Sequence, residues 1–210
     1  RNIDMICDNL LEEKDLVHYG DMPRRFNDNK IHILYCGRLE KEKGVVYLLQ
    51  AVEILVYVYK QEVELFILGS GSQGEFLKRY VKERNMDEYI YFKGFITQRA
   101  EYFDYFRRVD IYVQPSLTEG VPKTILEAIS KGLPVIATWV GGVQFLYKSG
   151  IRMFMVDPCS AEQIAESVLN VRNKSEIAQE YVKNNLDRIN AFLFEPQRDK
   201  VVNISKLLCK

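Results

Sequence analysis

From residue 31 onward, two rhythms of apolar and polar positions alternate along the chain. Short runs rich in Ile, Val, Tyr and Phe occur at 31–36, 63–68, 89–92, 110–113, 134–138 and 153–156. Their length and composition predict strands. Between them lie longer segments with helical spacing, at 45–59, 75–85, 98–108 and 124–130. Gly and Pro punctuate the changes of rhythm, as at Gly37, Gly69, Gly94 and Gly132-Leu133-Pro134. Strand followed by helix followed by strand, repeated at this spacing, implies parallel strands joined by crossover helices. After the last strand the pattern is helical throughout. Ser160 with Gln163 reads as a capping box opening a helix to about 172. A second helix is expected over 175–193. A third opens at Glu195-Pro196, with Val201, Ile204, Leu207 and Leu208 on one face.

These elements make one Rossmann-like α/β domain: a parallel sheet of about six strands, helices on both faces, and a helical C-terminal tail. The domain is taken as residues 31–210. Residues 1–30 read as a linker-like segment, with a short strand at 3–6, a short helix at 10–16 and polar turns after it. The 210 residues include 29 basic and 29 acidic side chains, a net charge of zero. That balance argues against a general grip on nucleic acid, which needs a basic excess. No apolar run reaches the ~20 residues that span a bilayer, and no secretory signal is visible. Cys7, Cys36, Cys159 and Cys209 are scattered without C-x-x-C spacing. Free thiols in a cytoplasmic protein are the expectation, with no metal site. His18 and His32 are not spaced as ligands, and His32 reads as a packed strand residue.

The candidate chemistry lies at 114–142. A strand ends at Pro115-Ser116, an acidic loop carries Glu119, and a helix carries Glu127. Gly120 and Pro122 bend the chain between the two acids. Pro122 suits the first helical position, where a missing N–H costs nothing. Glu127 would lie about two turns into the helix. Gly141-Gly142 is expected to open another turn. Loop amides at such a helix start favour an anion. The layout suits a phosphate flanked by hydroxyl-bearing groups. On the plainer reading, Glu119 caps the helix and Glu127 lies on a solvated face.

Read with its flanks, this stretch is P-S-x-x-E-G-x-P-x-x-x-x-E-A-x-x-x-G-x-P-V-x-A-T. It resembles the E-x7-E signature of retaining nucleotide-sugar glycosyltransferases of the GT-B fold. Three further segments are similar to that family. Gly37-Arg38-Leu39 with Lys43-Gly44 resembles its phosphate-binding loop, Gly69-Ser70-Gly71 its G-x-G turn, and Lys93-Gly94-Phe95-Ile96 the segment beside the nucleobase. The resemblance runs from about Met22 to the C-terminus.

It implies that Arg38, Lys43 and the loop amides after Gly120, in the segment Gly120-Val121-Pro122, hold a diphosphate. Glu127 would bind the ribose, and Glu119 would face the donor sugar as the catalytic carboxylate. The base would lie near Gly69, Phe95 and Ile96, although a tight turn alone accounts for Gly69, and packing accounts for Phe95 and Ile96 as readily. No cofactor or metal is implied, only a nucleotide-sugar donor, and Arg38 and Lys43 would stabilise the leaving diphosphate. The expected reaction moves a sugar to an acceptor hydroxyl with retention, in polysaccharide or glycoconjugate synthesis. It would run in the cytoplasm, at most at the inner face of the membrane. The match is to the second, donor-binding half of the two-domain enzymes. An acceptor-binding N-terminal domain, the site of any peripheral membrane association, is therefore an expected partner, and the single domain is expected to be inactive alone. Phe145 stands where the family has an acid, and Met153 where it often has Gly. A nucleotide-sugar epimerase half and a non-enzymatic nucleotide-binding module remain as alternatives.

Overall fold

The computed structural model describes residues 11–22, 25, 26 and 28–193. Six strands form one sheet: β1 (Lys30–Cys36), β2 (Glu62–Leu68), β3 (Ile90–Gly94), β4 (Ile111–Gln114), β5 (Val135–Thr138) and β6 (Phe154–Val156). Their order is β3-β2-β1-β4-β5-β6, and every pairing is parallel. The chain winds outward from β1 in one direction and then, through β4, in the other. The direction reverses between β1 and β4. The strand ends there diverge and open a crevice at the carboxyl edge.

Seven α-helices are described: α1 (Val45–Glu53), α2 (Gly74–Glu83), α3 (Arg99–Arg108), α4 (Lys123–Ser130), α5 (Gly141–Lys148), α6 (Ala161–Asn173) and α7 (Ser175–Arg188). Alternation along β1 sorts its side chains between two apolar layers. Ile31, Ile33 and Tyr35 join α1, α2 and α6 on one face. Leu34 and Cys36 join α3, α4 and α5 on the other. Burial on both faces is why the strands are apolar runs rather than alternating ones. Burying each large aliphatic side chain stabilises by about 1.5–3 kcal/mol.

Several expected boundaries move. The helix expected over 45–59 is α-helical only to Glu53, then widens into a π-helical turn at Ile54–Val58. Leu55 and Val56 stay buried while Val58 turns outward. Lys60, at φ 54°, then reverses the chain into β2. The tail helix expected over 175–193 stops at Arg188 and tightens into a 3-10 turn, Ile189–Phe192. The expected helix at 10–16 is, over its described part, only the 3-10 turn Glu13–Asp15. The strand expected at 3–6 and the last helix expected from 195 lie outside the described residues.

Gly141-Gly142 is not merely a turn: it starts α5, which sequence reading missed because its two glycines argue against a helix. The Ser160 cap forms, its hydroxyl accepting from the Gln163 amide. The Gln163 side chain instead brackets Asp157, accepting from its N–H at 2.7 Å and donating to its carboxylate at 2.9 Å. His32 is more than packed. Its Nδ1 lies 3.1 Å from Asp110 Oδ2 and its Nε2 3.7 Å from Glu64.

The described residues between 11 and 30 are fastened to the domain through Leu11 and Arg25. Leu11 joins the core layer of α3 and α4. The Arg25 guanidinium donates to the carbonyls of Arg107 at 3.1 Å and Lys131 at 2.8 Å, and to that of Val109. One cation thereby serves the carboxyl ends of α3 and α4, where orphan carbonyls and helix dipoles favour positive charge.

Candidate functional site

β4 ends at Gln114, a buried polar residue that organises the loop after it. Its side-chain oxygen accepts from Tyr112 Oη at 2.6 Å and Thr124 Oγ1 at 3.1 Å. Its nitrogen donates to Glu119 Oε1 at 2.9 Å. Ser116 Oγ donates to the same oxygen at 2.7 Å, and Lys43 Nζ lies 2.8 Å from it. Three donors thus hold the loop carboxylate, one of them charged.

Lys43 reaches Glu119 because its loop docks on the acidic loop. The 3-10 turn Lys41–Lys43 ends at Gly44, whose φ is +63°. A Cβ there would stand 2.1 Å from the Pro115 carbonyl oxygen, so only glycine lets the loops approach. Leu117 N–H donates to Glu42 O at 2.8 Å across the same seam. On the far side, Gly142 N–H donates to Glu119 O at 3.0 Å. The start of α5 thereby braces the acidic loop.

Pro122 is the N-cap of α4 and not its first helical residue, with ψ at 111°. A residue before the helix proper must keep extended geometry, and the ring fixes only φ. Glu127 is the fifth residue of α4. It therefore lies little more than one turn in, short of the expected two. Glu119 does not cap this helix, and Glu127 does not lie on a solvated face. Burial raises the Glu127 pKa above the ordinary carboxylate value, and a hydrogen bond from Tyr102 opposes that rise.

A cavity of about 590 Å³ opens at the carboxyl ends of β1, β2 and β3. Arg38, Gly69, Phe95 and Ile96 line it, together with Ser70, Arg99 and Tyr102. The Arg38 side chain is 71% exposed at its mouth, with Glu42 at 3.5 Å. Phe95 is 76% exposed, leaving its ring face open to a planar partner. Gly69, at φ +131°, has no room for a Cβ, which would stand 1.9 Å from Gly37 O.

The expected site residues therefore fall into two groups. Arg38, Gly69, Phe95 and Ile96 meet in the cavity. Lys43 and Glu119 meet in the seam between the loops after β1 and β4, whereas Gly120 and Val121 lie against Gly142 at the start of α5 and Pro122 is the N-cap of α4. Glu127 lines neither and joins the cavity through Tyr102, whose hydroxyl donates to its Oε2 at 2.6 Å. Sequence reading missed Tyr102, Arg99, Gln114 and Ser116. Gln114 and Ser116 were visible as polar residues at a strand end. Tyr102 carried no signal, being one aromatic among Phe103, Tyr105 and Phe106 on a helix that reads as core-packing.

A doubly wound parallel sheet, with the loops after β1 and β4 gathered at its reversal point, defines a Rossmann-like α/β domain. Residues 22–188 match the family described as glycosyl transferases group 1, and the chain belongs to that family. Among its relatives is the GtfA subunit of the UDP-N-acetylglucosamine–peptide N-acetylglucosaminyltransferase of Streptococcus pneumoniae. It is 27% identical over 164 residues, which cover 78% of this chain and 31% of GtfA. The crystallised C-terminal domain of LpcC, a group 1 glycosyl transferase family protein from Francisella tularensis, superposes with a TM-score of 0.65 at 25% identity. That match covers 82% of this chain and 88% of LpcC's domain. Anabaena Alr3699/HepE, solved in complex with UDP, shares the fold with a TM-score of 0.73 at 17% identity, over 85% of this chain and 49% of that one. The chain spans less than half the length of the curated relatives it matches.

Proposed function

We propose that this chain is the donor-binding half of a retaining glycosyltransferase. In this reading it takes a sugar from a nucleotide-diphosphate sugar and hands it to an acceptor hydroxyl in polysaccharide or glycoconjugate synthesis. The observation that carries the proposal is the Lys43–Glu119 pair at 2.8 Å, which locks the phosphate-type loop to the acidic loop beside an open cavity. Phe95 and Ile96 would receive the base, Arg38 and Lys43 the diphosphate, and Glu119 the sugar. The ribose would sit on the Glu127 side of the cavity. Positive side chains aimed at a departing diphosphate lower the barrier by stabilising charge as it develops. HepE binds UDP on the same fold, and GtfA's name specifies a UDP-sugar; both support this reading by analogy.

An acceptor-binding domain would face the carboxyl edge and complete the cleft. Among the described residues no helix is long and apolar enough to cross a membrane. The reading assigns the work to the cytoplasm, with any membrane contact made by the acceptor-binding domain. Calorimetric titration of the chain with UDP, GDP and the corresponding nucleosides tests the proposal. Binding of one diphosphate, tighter than its nucleoside, is expected; binding of neither removes it. Retention is tested by the anomeric configuration of the product formed when the acceptor-binding domain is supplied.

A further inference from the structure

The amino edge of the sheet carries a feature that the donor-binding reading does not use. α1 starts at the carboxyl edge and ends at the amino edge, in the π-helical turn Ile54–Val58. There Tyr57, Val58 and Tyr59 follow one another in the chain, all exposed, Val58 by 67%. Single exposed apolar residues are ordinary, whereas contiguous ones mark interaction surfaces. The ridge they form is held rigidly. Tyr57 Oη donates between the carbonyls of Arg84 and Asn85, 3.1 Å from each, and its ring meets Tyr89 edge-on at 6.4 Å. Tyr59 N–H closes the turn on Ile54 O at 3.0 Å. Lys60 follows at φ 54°, a left-handed conformation uncommon outside glycine. Interruptions of this π-helical kind recur at functional sites.

Beside the ridge lies a hollow of about 420 Å³. Val56, Val63 and Tyr89 give it apolar walls, and Lys60, Glu62 and Glu88 also line it. Those three charged side chains form no ion pair among the described residues. A ridge and a hollow side by side on one face are what a two-fold axis needs, since the ridge of each copy can enter the hollow of the other. The same axis sets Lys60 of each copy against the acids of the other, so charges left unpaired in the single chain find partners on both sides. The two acids oppose an anionic lipid surface, which attracts basic segments.

We propose that the amino edge is a self-association surface, on which Val58 and Tyr59 of one copy of this chain enter the hollow of a second copy. The seven-residue strands β1 and β2 hold this edge about 20 Å from the carboxyl edge. Pairing here therefore leaves Lys43, Glu119 and the larger cavity open. The inference stands apart from the donor-binding reading and survives its failure.

The test is sedimentation velocity on the 210-residue chain across the micromolar range. A reversible monomer–dimer equilibrium is expected, weak because an interface of this kind lies at the small end of the usual range. Val58→Glu should weaken it at least about tenfold, by placing a further acid against Glu62 and Glu88 of the second copy. Lys60→Glu should weaken it likewise, and Lys60→Glu combined with Glu88→Lys should recover most of the loss, because the exchanged charges again face each other. Non-specific aggregation would show no such recovery. A chain that stays monomeric throughout overturns the inference, as does a dimer indifferent to Val58→Glu. Flotation with vesicles of phosphatidylcholine and phosphatidylserine that is lost in Val58→Glu, from a chain that does not self-associate, assigns the ridge to a membrane and overturns it too. Thermal unfolding establishes that each variant is folded. Should Val58→Glu not fold, the Lys60 and Glu88 exchange decides by itself.

Discussion

Lys43 and Glu119 lie 76 residues apart in sequence and form an ion pair at 2.8 Å, with side chains only 15% and 9% exposed. The pair ties two loops from opposite sides of the sheet's reversal point into one surface. Removing one member leaves the other buried without its counter-charge, which typically costs 3–5 kcal/mol. Lys43→Ala is therefore expected to destabilise the fold by roughly 3 kcal/mol, in addition to weakening any phosphate contact. The double variant Lys43→Met with Glu119→Gln should recover much of that loss. Urea denaturation of the single and double variants measures it, and strictly additive losses would show that the pair is not a unit.

Arg38 is the cleaner probe of a phosphate, because its side chain is mostly exposed and its contact with Glu42 is long. Arg38→Ala should change folding stability by less than about 0.5 kcal/mol. It should weaken nucleoside diphosphate binding by about 1.5–3 kcal/mol, the range for a charge-assisted hydrogen bond. Nucleoside binding should stay the same. Equal losses for the two ligands would move Arg38 away from the diphosphate.

Gly44→Ala tests the seam between the loops. Its φ of +63° and the Pro115 carbonyl 2.1 Å from a would-be Cβ both forbid a side chain there. Strain in that backbone region costs about 1–3 kcal/mol, and the loop must move off the acidic segment to relieve it. The expected result is a lowered melting temperature together with lost nucleoside diphosphate affinity. A variant with wild-type stability and affinity would mean that the loops need not touch for either property.

Glu127 carries a pH signature. Burial is the largest cause raising its pKa in the folded chain above the ordinary 4.5. The folded state therefore holds the proton more tightly than the unfolded one. That contribution to stability is complete below about 4.5 and is lost as pH rises through the folded pKa. At neutral pH the ionised group is a burden on the fold. Glu127→Gln keeps an acceptor for Tyr102 and carries no charge. It should melt higher than wild type at pH 7.5, and the difference should shrink as pH approaches 4. A melting temperature difference that does not vary with pH would contradict this.

How much of this was legible in the sequence varies with the range of the interaction. Periodicity alone specified the six strands and most of the helices, because burial on both sheet faces writes itself as short apolar runs between amphipathic segments. α5 escaped because Gly141-Gly142 has low intrinsic helicity. Those glycines answer to a neighbour far away in sequence: a Cβ at Gly142 would stand 1.9 Å from Gly120 O. The π-helical turn at Ile54–Val58 and the end of α7 at Arg188 were likewise decided by where the chain had to go next.

The candidate site divides in the same way. The sequence by itself determined which residue types were available at the sheet's carboxyl edge, since Arg38, Lys43 and Glu119 sit in loops and Glu127 in the short helix that follows, with recognisable spacing. Only the tertiary structure decided their partners. Pairing across 76 residues between Lys43 and Glu119 depends on the strand order, which places β1 beside β4 and so brings their following loops together. Tyr102 is the sharper case. On α3 it is one aromatic among several, and its ring packs edge-on against Phe103, as a core residue would. Its hydroxyl meets Glu127 and Cys36 because α3 and α4 pack on the same face of the sheet as Cys36, an arrangement that no local pattern encodes. Local spacing reports which face of an element is apolar, whereas a hydrogen bond of 2.6 Å requires the placement of three elements at once.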